Sequence, residues 1–470
     1  MIKSTDIKSL EYSEILSLYK DFVNPQQAKL FAGLSTNKSV PIKAEGIDIT
    51  LANGEIIKDF TGGLGVLNHG HNHPRILKTR TEFQKNKHME VSKLYLSPYV
   101  AALSKNIAEL FPRNLDISYF CNSGAEAIEG ALKICHKSFN NKRSVVLSSD
   151  RSFHGKTIGA LSVSNADEMT YQFPQLLDNK TYEFNNSSNL KSIVESTIDS
   201  SGNCNIFAIL VEPFSASSFE LTSDNFLIEA REISNKYSIP LIFDEIYTGF
   251  FKTGPLFNFM RTSTVPDIVV YSKSFGGGKS SISGYTTTKA LFNSSYGNTN
   301  DALMHSTTYN AFGEETLTAI VAIEVALEEE FEKKSKNLQN LLETGFKKLS
   351  EEYKFFHSFS GMGALYGLEF DLPEVYKQLE KIFQNLDKKF FKKLYVGALI
   401  DHLHSEHNIL TYFTDNKKVC LAISPSLITS EKDINYLFDS LDKTFDKNQF
   451  LLVNKFIKNV GIENLKLIFK

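Results

Sequence analysis

Lys273 lies between an apolar run, Ile268 to Tyr271, and three consecutive glycines, Gly276 to Gly278. A lysine at the end of a buried strand can act as a nucleophilic amine if its surroundings favour the neutral form. An ordinary lysine has a pKa of about 10.4, so neutrality at pH 7 requires about 4.6 kcal/mol of differential stabilisation. Taken alone, Lys273 would be interpreted as a surface lysine at a strand end.

Asp244 follows the apolar run Pro240 to Phe243. It lies twenty-nine residues before Lys273, which follows the next apolar run. A carboxylate in this position is partly buried and needs a cationic partner to stay ionised. A protonated heteroaromatic nitrogen is one such partner. A metal ion and a salt bridge to a neighbouring helix are the alternatives.

A third polar segment, Ser123-Gly124-Ala125, separates the apolar run Ile117 to Cys121 from the helical pattern Glu126 to His136. The first turn of a helix presents free N–H groups and the positive end of the helix dipole, and the serine adds a hydroxyl. Such a combination suits a phosphate dianion. Alone, the segment would be interpreted as an N-cap and a helix start.

An amine, a buried anion and a phosphate cradle together meet the requirements for holding pyridoxal 5′-phosphate. The sequence also resembles the class III aminotransferases of the fold-type I pyridoxal-phosphate superfamily. The segments that carry the resemblance follow the family's order over nearly the whole chain. They are LNHGHNHP (67–74), CNSGAEAIEGALK (121–133), FHGKTIGALS (153–162), VEP (211–213), FDEIYTGFFKTG (243–254), PDIVVYSKSFGGG (266–278), HSTTY (305–309) and GMGALYGLEF (361–370).

The resemblance implies that Lys273 forms the Schiff base with the cofactor and moves a proton between the substrate Cα and C4′. It implies that Asp244 pairs with the pyridinium nitrogen and that Phe153 lies against the ring face. Tyr247 stands where glutamine is frequent, near the 3′-oxygen. Further implied cofactor contacts are Ser123, Gly124, Ala125, His154, Glu212 and Thr308, the last to the phosphate of a neighbouring subunit. A homodimer is implied by Thr308 alone.

Two positions depart from the family pattern. Many members bind a substrate carboxylate with an arginine, which a glutamate masks when another substrate enters. The matching residues here are Ala422 and Ser217. A buried glutamate without its arginine would be costly, so their joint absence is physically consistent. Either another cation takes the carboxylate, such as Lys279, Lys417 or Lys418, or the substrates are not ordinary α-amino and α-keto acids.

The resemblance therefore implies an aminotransferase that moves the amino group of a primary, terminal amine to a keto acid or aldehyde in a ping-pong cycle. Segments 67–74 and 266–278 look closest to members such as the 2,4-diaminobutyrate aminotransferases. The alternative is an intramolecular aminomutase of the glutamate-semialdehyde type, which needs no external acceptor. A scaffold without activity is disfavoured because both Lys273 and Asp244 are present.

Short, continuously apolar runs that alternate with helical patterns predict an α/β fold with a three-layer, mainly parallel sheet. Ligands of such sheets bind beyond the carboxyl ends of the strands, so we expect the site residues to converge on one edge. The predicted strands are Ile117 to Cys121, Ser144 to Leu147, Ile206 to Val211, Pro240 to Phe243 and Ile268 to Tyr271.

The two ends of the chain predict a smaller α+β domain, built from residues 1–60 and 341–470 around a large cofactor-binding domain at 61–340. Helices are expected at 315–330 and 333–352. A turn at 361–363 should precede a strand at 364–370. The stretch 451–470 has roughly helical spacing and predicts a packed or interfacial helix rather than a membrane contact.

The 470 residues include 51 basic and 54 acidic side chains, a formal net charge of −3, which gives no electrostatic reason to expect nucleic acid or an anionic membrane as a partner. The first residues lack the apolar core of a secretory signal, and no apolar stretch approaches the roughly 20 residues that span a bilayer. We therefore expect a cytoplasmic protein that acts on small molecules.

Four scattered cysteines form no CxxC pair, so reduced, buried thiols are expected. His69, His71 and His73 alternate like metal ligands, but the matching family segment favours a structural loop. The polar residues Asp401, His402, His404 and His407 predict a solvated helix face. No metal is predicted.

Overall fold

The computed structural model describes residues 1–34, 38–90, 94–112, 114–165, 172–383, 385–414 and 417–469. Its strands, numbered in chain order, form four sheets. They are β1 Pro41–Glu45, β2 Asp48–Leu51, β3 Ile56–Asp59, β4 Ile117–Cys121, β5 Val145–Ser149, β6 Asp178–Tyr182, β7 Ile206–Val211, β8 Phe214–Ser215, β9 Glu220–Leu221, β10 Leu241–Asp244, β11 Ile268–Tyr271, β12 Ser283–Thr287, β13 Phe356–Met362, β14 Leu365–Phe370, β15 Ile409–Leu410, β16 Tyr412–Thr414 and β17 Cys420–Ile423.

The largest sheet has seven strands in the order β4-β12-β11-β10-β7-β5-β6. Only β12 among them runs antiparallel to its neighbours, and the other strands share one direction. Strands β7, β10 and β11 are buried along their whole length, because helices cover both faces of this sheet. The predicted mainly parallel α/β fold is confirmed.

Several helices begin where the sequence supplies a capping side chain. Ser97, Ser123, Ser223 and Ser430 each accept a hydrogen bond from a backbone N–H of the first helical turn. The helices of seven or more residues are Tyr12–Leu18, Pro25–Leu34, Pro74–Lys85, Pro98–Leu110, Gly124–Ser138, Ser187–Ser196, Asp224–Tyr237, Lys289–Tyr296, Gly313–Glu328, Phe331–Glu352, Pro373–Leu379, Lys388–His407, Glu431–Phe445, Gln449–Val460 and Ile462–Phe469.

Two smaller sheets involve the ends of the chain. In the first, β1, β2 and β3 pair in order and β15 adds to β3 in parallel, so residues 41–59 meet residues 409–410. The second is antiparallel, in the order β13-β14-β17-β16. Both sheets thus take their strands from the regions for which the smaller α+β domain is predicted, and the division into domains at residues 60 and 340 stays a prediction.

Some predicted boundaries differ from the structure. Strand β5 extends to Ser149 and β10 includes Asp244, because their parallel neighbours continue the pairing. The turn predicted at 361–363 falls at Gly363, since Gly361 and Met362 pair with β14 as part of β13. A positive φ of 63° at Gly363 marks the reversal.

The prediction of a solvated face at 401–407 was wrong. Asp401 and His402 are buried within the helix Lys388–His407. The reason lies beyond that helix, because Gln449–Val460 and Glu431–Phe445 both pack against it.

Residues 451–469 form packed helical structure, as expected, but in two helices, Gln449–Val460 and Ile462–Phe469, rather than one. Phe456, Leu465 and Phe469 are buried, and Gly397 allows a close approach, because a Cβ there would lie 2.7 Å from the Phe469 ring. The four cysteines have free, buried thiols, as predicted.

No helix in the described part of the chain is long and apolar enough to cross a membrane. Within the same residues, no group of three His, Cys, Asp or Glu side chains could hold a metal ion. The loop histidines have structural contacts instead: His69 Nε2 is 2.8 Å from Ala322 O, and His73 Nε2 is 3.1 Å from a Glu329 oxygen.

Candidate active site

The carboxyl ends of β4, β10 and β11 lie on the same edge of the seven-stranded sheet. Asp244 is the last residue of β10 and pairs in register with Val270 of β11. Lys273 follows β11 and begins the short helix Lys273–Gly276. The apolar strands therefore bring the two predicted catalytic side chains to adjacent positions, as the sequence implied.

Lys273 has a positive φ of 48°, an uncommon backbone conformation for a residue with a side chain. Its Nζ lies 3.5 Å from the centroid of the Tyr247 ring. Burial lowers the pKa of Lys273 to about 8, although the charges of Asp244 and Glu212 oppose this shift. The amine is thus closer to neutrality than an exposed lysine, and both carboxylates lie within electrostatic range of it.

Asp244 is buried and held from two sides. His154 Nδ1 lies 2.7 Å from Asp244 Oδ2, and the backbone N–H of Ile246 donates to Oδ1 at 2.9 Å. His154 is itself buried, and its backbone N–H donates to Ser164 Oγ at 2.8 Å. Among the described residues, no lysine or arginine forms an ion pair with Asp244. The carboxylate is fixed in place and able to receive a further cation.

Glu212 follows β7 and is also buried. Its carboxylate accepts hydrogen bonds from the backbone N–H groups of Phe153, at 3.0 Å, and Ala216, at 3.2 Å. Burial raises the pKa of Glu212 to about 7, against the opposing effect of His154. Glu212 therefore fixes the backbone of Phe153, whose side chain is partly buried beside the site.

The helix Gly124–Ser138 begins at the same edge, with Ser123 as its N-cap. The Glu126 carboxylate accepts hydrogen bonds from the Asn122 N–H, at 2.9 Å, and the Ser123 hydroxyl, at 3.2 Å. Gly124 is needed for close packing, because a Cβ there would lie 2.9 Å from Ile246. The first turn of this helix presents backbone N–H groups at the same edge as Asp244 and Lys273.

Thr308 lies apart from these residues in the chain's own fold. It is exposed on the loop before the helix Gly313–Glu328 and has no hydrogen bond to the other predicted site residues within the described segments.

Three further residues surround the site, and the sequence reasoning missed them. The Tyr247 hydroxyl contacts the hydroxyl of Tyr412 in β16. Asp59 is buried and lies 2.9 Å from His71 Nε2. Lys252 is fully buried and donates to the carbonyl oxygens of Ser424 and Pro425. The sequence signal that could have identified Lys252 is its position directly after the apolar residues 249–251.

The positions of the missing arginine and glutamate are apolar or small. Ala422 in β17 is buried, opposite Tyr412 and Gly367, and belongs to an apolar cluster with Tyr247 and Phe219. Ser217 is buried as well. Of the candidate cations, Lys418 is already paired with Glu220 and Glu369 at 3.1 and 3.0 Å.

The family model for class III aminotransferases matches residues 34–445. The aminotransferase PigE of Serratia sp. (strain ATCC 39006) is 26% identical over 461 residues, which are 90% of this chain and 52% of that protein. The chain thus spans about half the length of this curated relative.

Two solved structures share the fold. The (S)-enantioselective omega-transaminase of Thermomicrobium roseum superposes with a TM-score of 0.79 at 21% identity, covering 95% of this chain and 100% of that one. An ornithine aminotransferase of Toxoplasma gondii, described with partial occupancy of PLP at its active site, gives 0.74 at 20% identity, covering 97% and 100%. The family, fold and cofactor expected from the sequence are confirmed.

The residues at this edge fit pyridoxal 5′-phosphate. The buried Asp244 carboxylate has no lysine or arginine partner in the described chain, and the buried His154 Nε2 has no hydrogen-bond partner there either. The site thus combines an anion for a ring nitrogen, a nearby amine of lowered pKa and a helix start for a phosphate.

Gly65 tests the packing around Lys273. It has a φ of +89°, and a Cβ there would lie 2.2 Å from the Tyr247 ring and 3.5 Å from Lys273 Cδ. Gly54 is a matched control, with a φ of +87° and no atom within 4 Å of its Cβ position. We expect Gly65→Ala to lower the free energy of unfolding by about 1–3 kcal/mol more than Gly54→Ala, because only Gly65→Ala forces a ring to move.

Urea unfolding followed by circular dichroism measures this difference. Equal losses in the two variants would mean that the Tyr247 ring does not lie against Gly65.

Proposed function

Because the chain belongs to the class III aminotransferase family, we propose that it transfers the amino group of a primary, terminal amine to a keto acid or aldehyde acceptor by a ping-pong mechanism. The observation that supports this proposal most is the placement of Asp244 at the end of β10 and of Lys273 just after the adjacent strand β11, at one edge of the sheet. An amine and a buried anion at neighbouring strand ends suit two sides of one small aromatic ring.

When bound, pyridoxal 5′-phosphate supplies an aldehyde that takes up amino groups and a ring that withdraws electrons. Lys273 Nζ would hold the cofactor by its aldehyde and would carry a proton to and from the substrate carbon. Its lowered pKa favours this role, because a protonated amine can neither attack a carbonyl nor accept a proton.

Asp244 would pair with the positively charged ring nitrogen, and His154 positions the Asp244 carboxylate. Phe153, whose backbone is fixed by Glu212, would contact the ring. Ser123, Gly124 and Ala125 would bind the phosphate at the start of their helix. Tyr247 lies beneath the Lys273 amine and orients it.

The role of Lys273 is tested by Lys273→Ala. We expect this variant to lose the visible absorbance band that wild-type protein gains with pyridoxal 5′-phosphate, because the amine on which the band depends is removed. Lys289→Ala, a change of an exposed lysine, is the control and should keep the band. An unchanged spectrum of a folded Lys273→Ala protein would refute the assignment.

The surroundings of Ala422 support substrates without a carboxylate next to the amine. Ala422 lies among Tyr247, Phe219 and Leu365, and none of these side chains carries a charge that would neutralise a carboxylate. Burying a carboxylate there without a cation would be unfavourable by several kcal/mol. Lys418 is an unsuitable replacement, because Glu220 and Glu369 already neutralise it.

A panel of amines tests the substrate class. We expect primary terminal amines to bleach the visible band of the loaded protein, and addition of a keto acid or aldehyde to restore it. Simple α-amino acids should bleach it more slowly, because the arginine that many family members use for the carboxylate is replaced by Ala422 here. Faster bleaching by α-amino acids would contradict the proposal. Conversion of one substrate to an isomer without an acceptor would favour the aminomutase instead.

We also propose that the protein is a homodimer in which Thr308 reaches the phosphate site of the partner subunit. The large apolar side chains of Leu94, Leu96 and Leu303 are 95%, 100% and 83% exposed in the single chain. Leu303 lies on the same segment as Thr308. Apolar side chains so exposed are typical of a surface that another subunit covers.

A charge placed on this surface tests the dimer. We expect Leu96→Glu to shift the protein towards monomer in sedimentation velocity and to weaken its affinity for pyridoxal 5′-phosphate, because Thr308 is then lost from the site. Leu451→Glu changes an exposed leucine of the helix Gln449–Val460 and is the control. The proposal would be contradicted if the wild-type protein were a monomer and the Leu96→Glu variant bound pyridoxal 5′-phosphate with the same affinity as wild type.

A further inference from the structure

Tyr412 lies beside the position at which the family's arginine is missing. It stands directly opposite Ala422 in the antiparallel pair of β16 and β17. Residues that face each other across two antiparallel strands carry their Cβ atoms on the same face of the sheet, about 5 Å apart. The side chain of Tyr412 therefore shares its face of the sheet with the side-chain position that an arginine at 422 would use.

The row of residues across this sheet leaves room that aromatic rings fill. On its other side, Ala422 lies opposite Gly367 of β14, and a Cβ at Gly367 would lie 2.8 Å from Phe219 Cβ. Phe219 belongs to the same cluster as Ala422 and Tyr247, and Tyr412 packs against this cluster. The rings of Phe219 and Tyr247 meet edge to face, with their centroids 6.4 Å apart. Aromatic side chains thus occupy the space next to Ala422.

Tyr412 is connected to the Lys273 amine through a single residue. Its hydroxyl contacts the hydroxyl of Tyr247, and Lys273 Nζ lies 3.5 Å from the centroid of the Tyr247 ring. Burial raises the pKa of Tyr247 to about 12 and raises that of Tyr412 as well, so both phenols are neutral at physiological pH. The side chains that lead from Lys273 to Ala422 are therefore aromatic and uncharged.

An uncharged, aromatic surface distinguishes between two kinds of amine. A carboxylate placed against neutral rings loses hydration without gaining an ion pair, which is unfavourable. An alkyl chain in the same place is favoured, because its apolar surface leaves water. The surface beside Ala422 thus suits an amine whose neighbouring carbons are apolar.

We propose that Tyr412 determines which amines the site accepts: its ring fills the space beside Ala422, so the site takes primary amines with an apolar chain and rejects those with a carboxylate on the amine-bearing carbon. This inference rests on the proposed amino transfer from a terminal amine. It deepens that proposal, because it names the side chain that replaces the arginine and the kind of chain that the amine carries.

Pentylamine and L-norleucine test this inference, because they differ only by a carboxylate on the carbon that bears the amine. The protein loaded with pyridoxal 5′-phosphate is mixed with each compound, and the rate at which the visible band bleaches is measured. We expect pentylamine to bleach the wild-type protein faster. The ratio of the two rates is compared between variants, since a purely structural defect slows both reactions alike.

Tyr412→Arg places a cation on the face of the sheet where Ala422 lies. We expect the norleucine rate to rise relative to the pentylamine rate by about tenfold or more, the effect of one charge-assisted hydrogen bond. Tyr436→Arg changes an exposed tyrosine of the helix Glu431–Phe445 and is the matched control, which should keep the wild-type ratio. An unchanged ratio in a Tyr412→Arg protein that still forms the visible band would overturn the inference.

Tyr412→Phe separates the effect of the ring from that of its hydroxyl. This variant keeps a neutral ring beside Ala422, so we expect it to retain the wild-type preference for pentylamine. Loss of that preference would refute the inference, because the hydroxyl and not the ring would then select the amine.

Tyr412→Ala provides a further test if the arginine variant does not form the visible band. Water then fills the space of the ring and can hydrate a carboxylate, so the norleucine rate should rise several-fold relative to the pentylamine rate. Equal slowing of both reactions would indicate a packing role alone and contradict the inference. A wild-type protein that neither compound bleaches would instead overturn the proposed amino transfer on which the inference rests.

Discussion

Burial of an amine and a carboxylate at one edge of the sheet is the constraint on which the candidate site depends. Apolar strands that are covered on both faces exclude water from the ends of β10 and β11. Low polarity disfavours the charged form of Lys273 and lowers its pKa, while Asp244 is held by hydrogen-bond contacts with His154 and the Ile246 N–H. The residues that form the core thus also determine the chemistry.

The ends of the chain complete this arrangement. Segment Gly62–Gly65 follows β3, and the 424–425 turn follows β17, yet both lie against side chains of the central sheet region. Lys252 lies between the two segments: its amine donates to the carbonyl oxygens of Ser424 and Pro425, and it lies 3.5 Å from the position of a Cβ at Gly62. The smaller sheets are therefore needed to hold the Lys273 amine, and their position relative to the large sheet matters to the site.

The sequence predicted the central strands well, because apolar runs such as Ile206–Val211 are the signature of strands buried on both faces. The ends of the strands were predicted less accurately, because Ser149 and Asp244 are polar and yet pair with neighbouring strands. Lys273, Asp244 and the Ser123 turn were predicted from residue type and from the family motifs. Their convergence follows from the common direction of the strands.

Burial that depends on distant segments was not predictable. Lys252 is buried by residues that lie more than 170 positions later in the chain, and no local pattern reports that contact. His402 was expected to be solvated, because the helices that cover it come from the last forty residues. In both cases tertiary packing outweighed local polarity.

Chemical mapping of the cofactor's attachment tests whether Lys273 is the residue that carries pyridoxal 5′-phosphate. The protein is loaded with pyridoxal 5′-phosphate, reduced with borohydride to make the link permanent, digested and analysed by mass spectrometry. We expect one pyridoxyl label, on Lys273. A label on Lys252, or none on Lys273, would contradict this expectation.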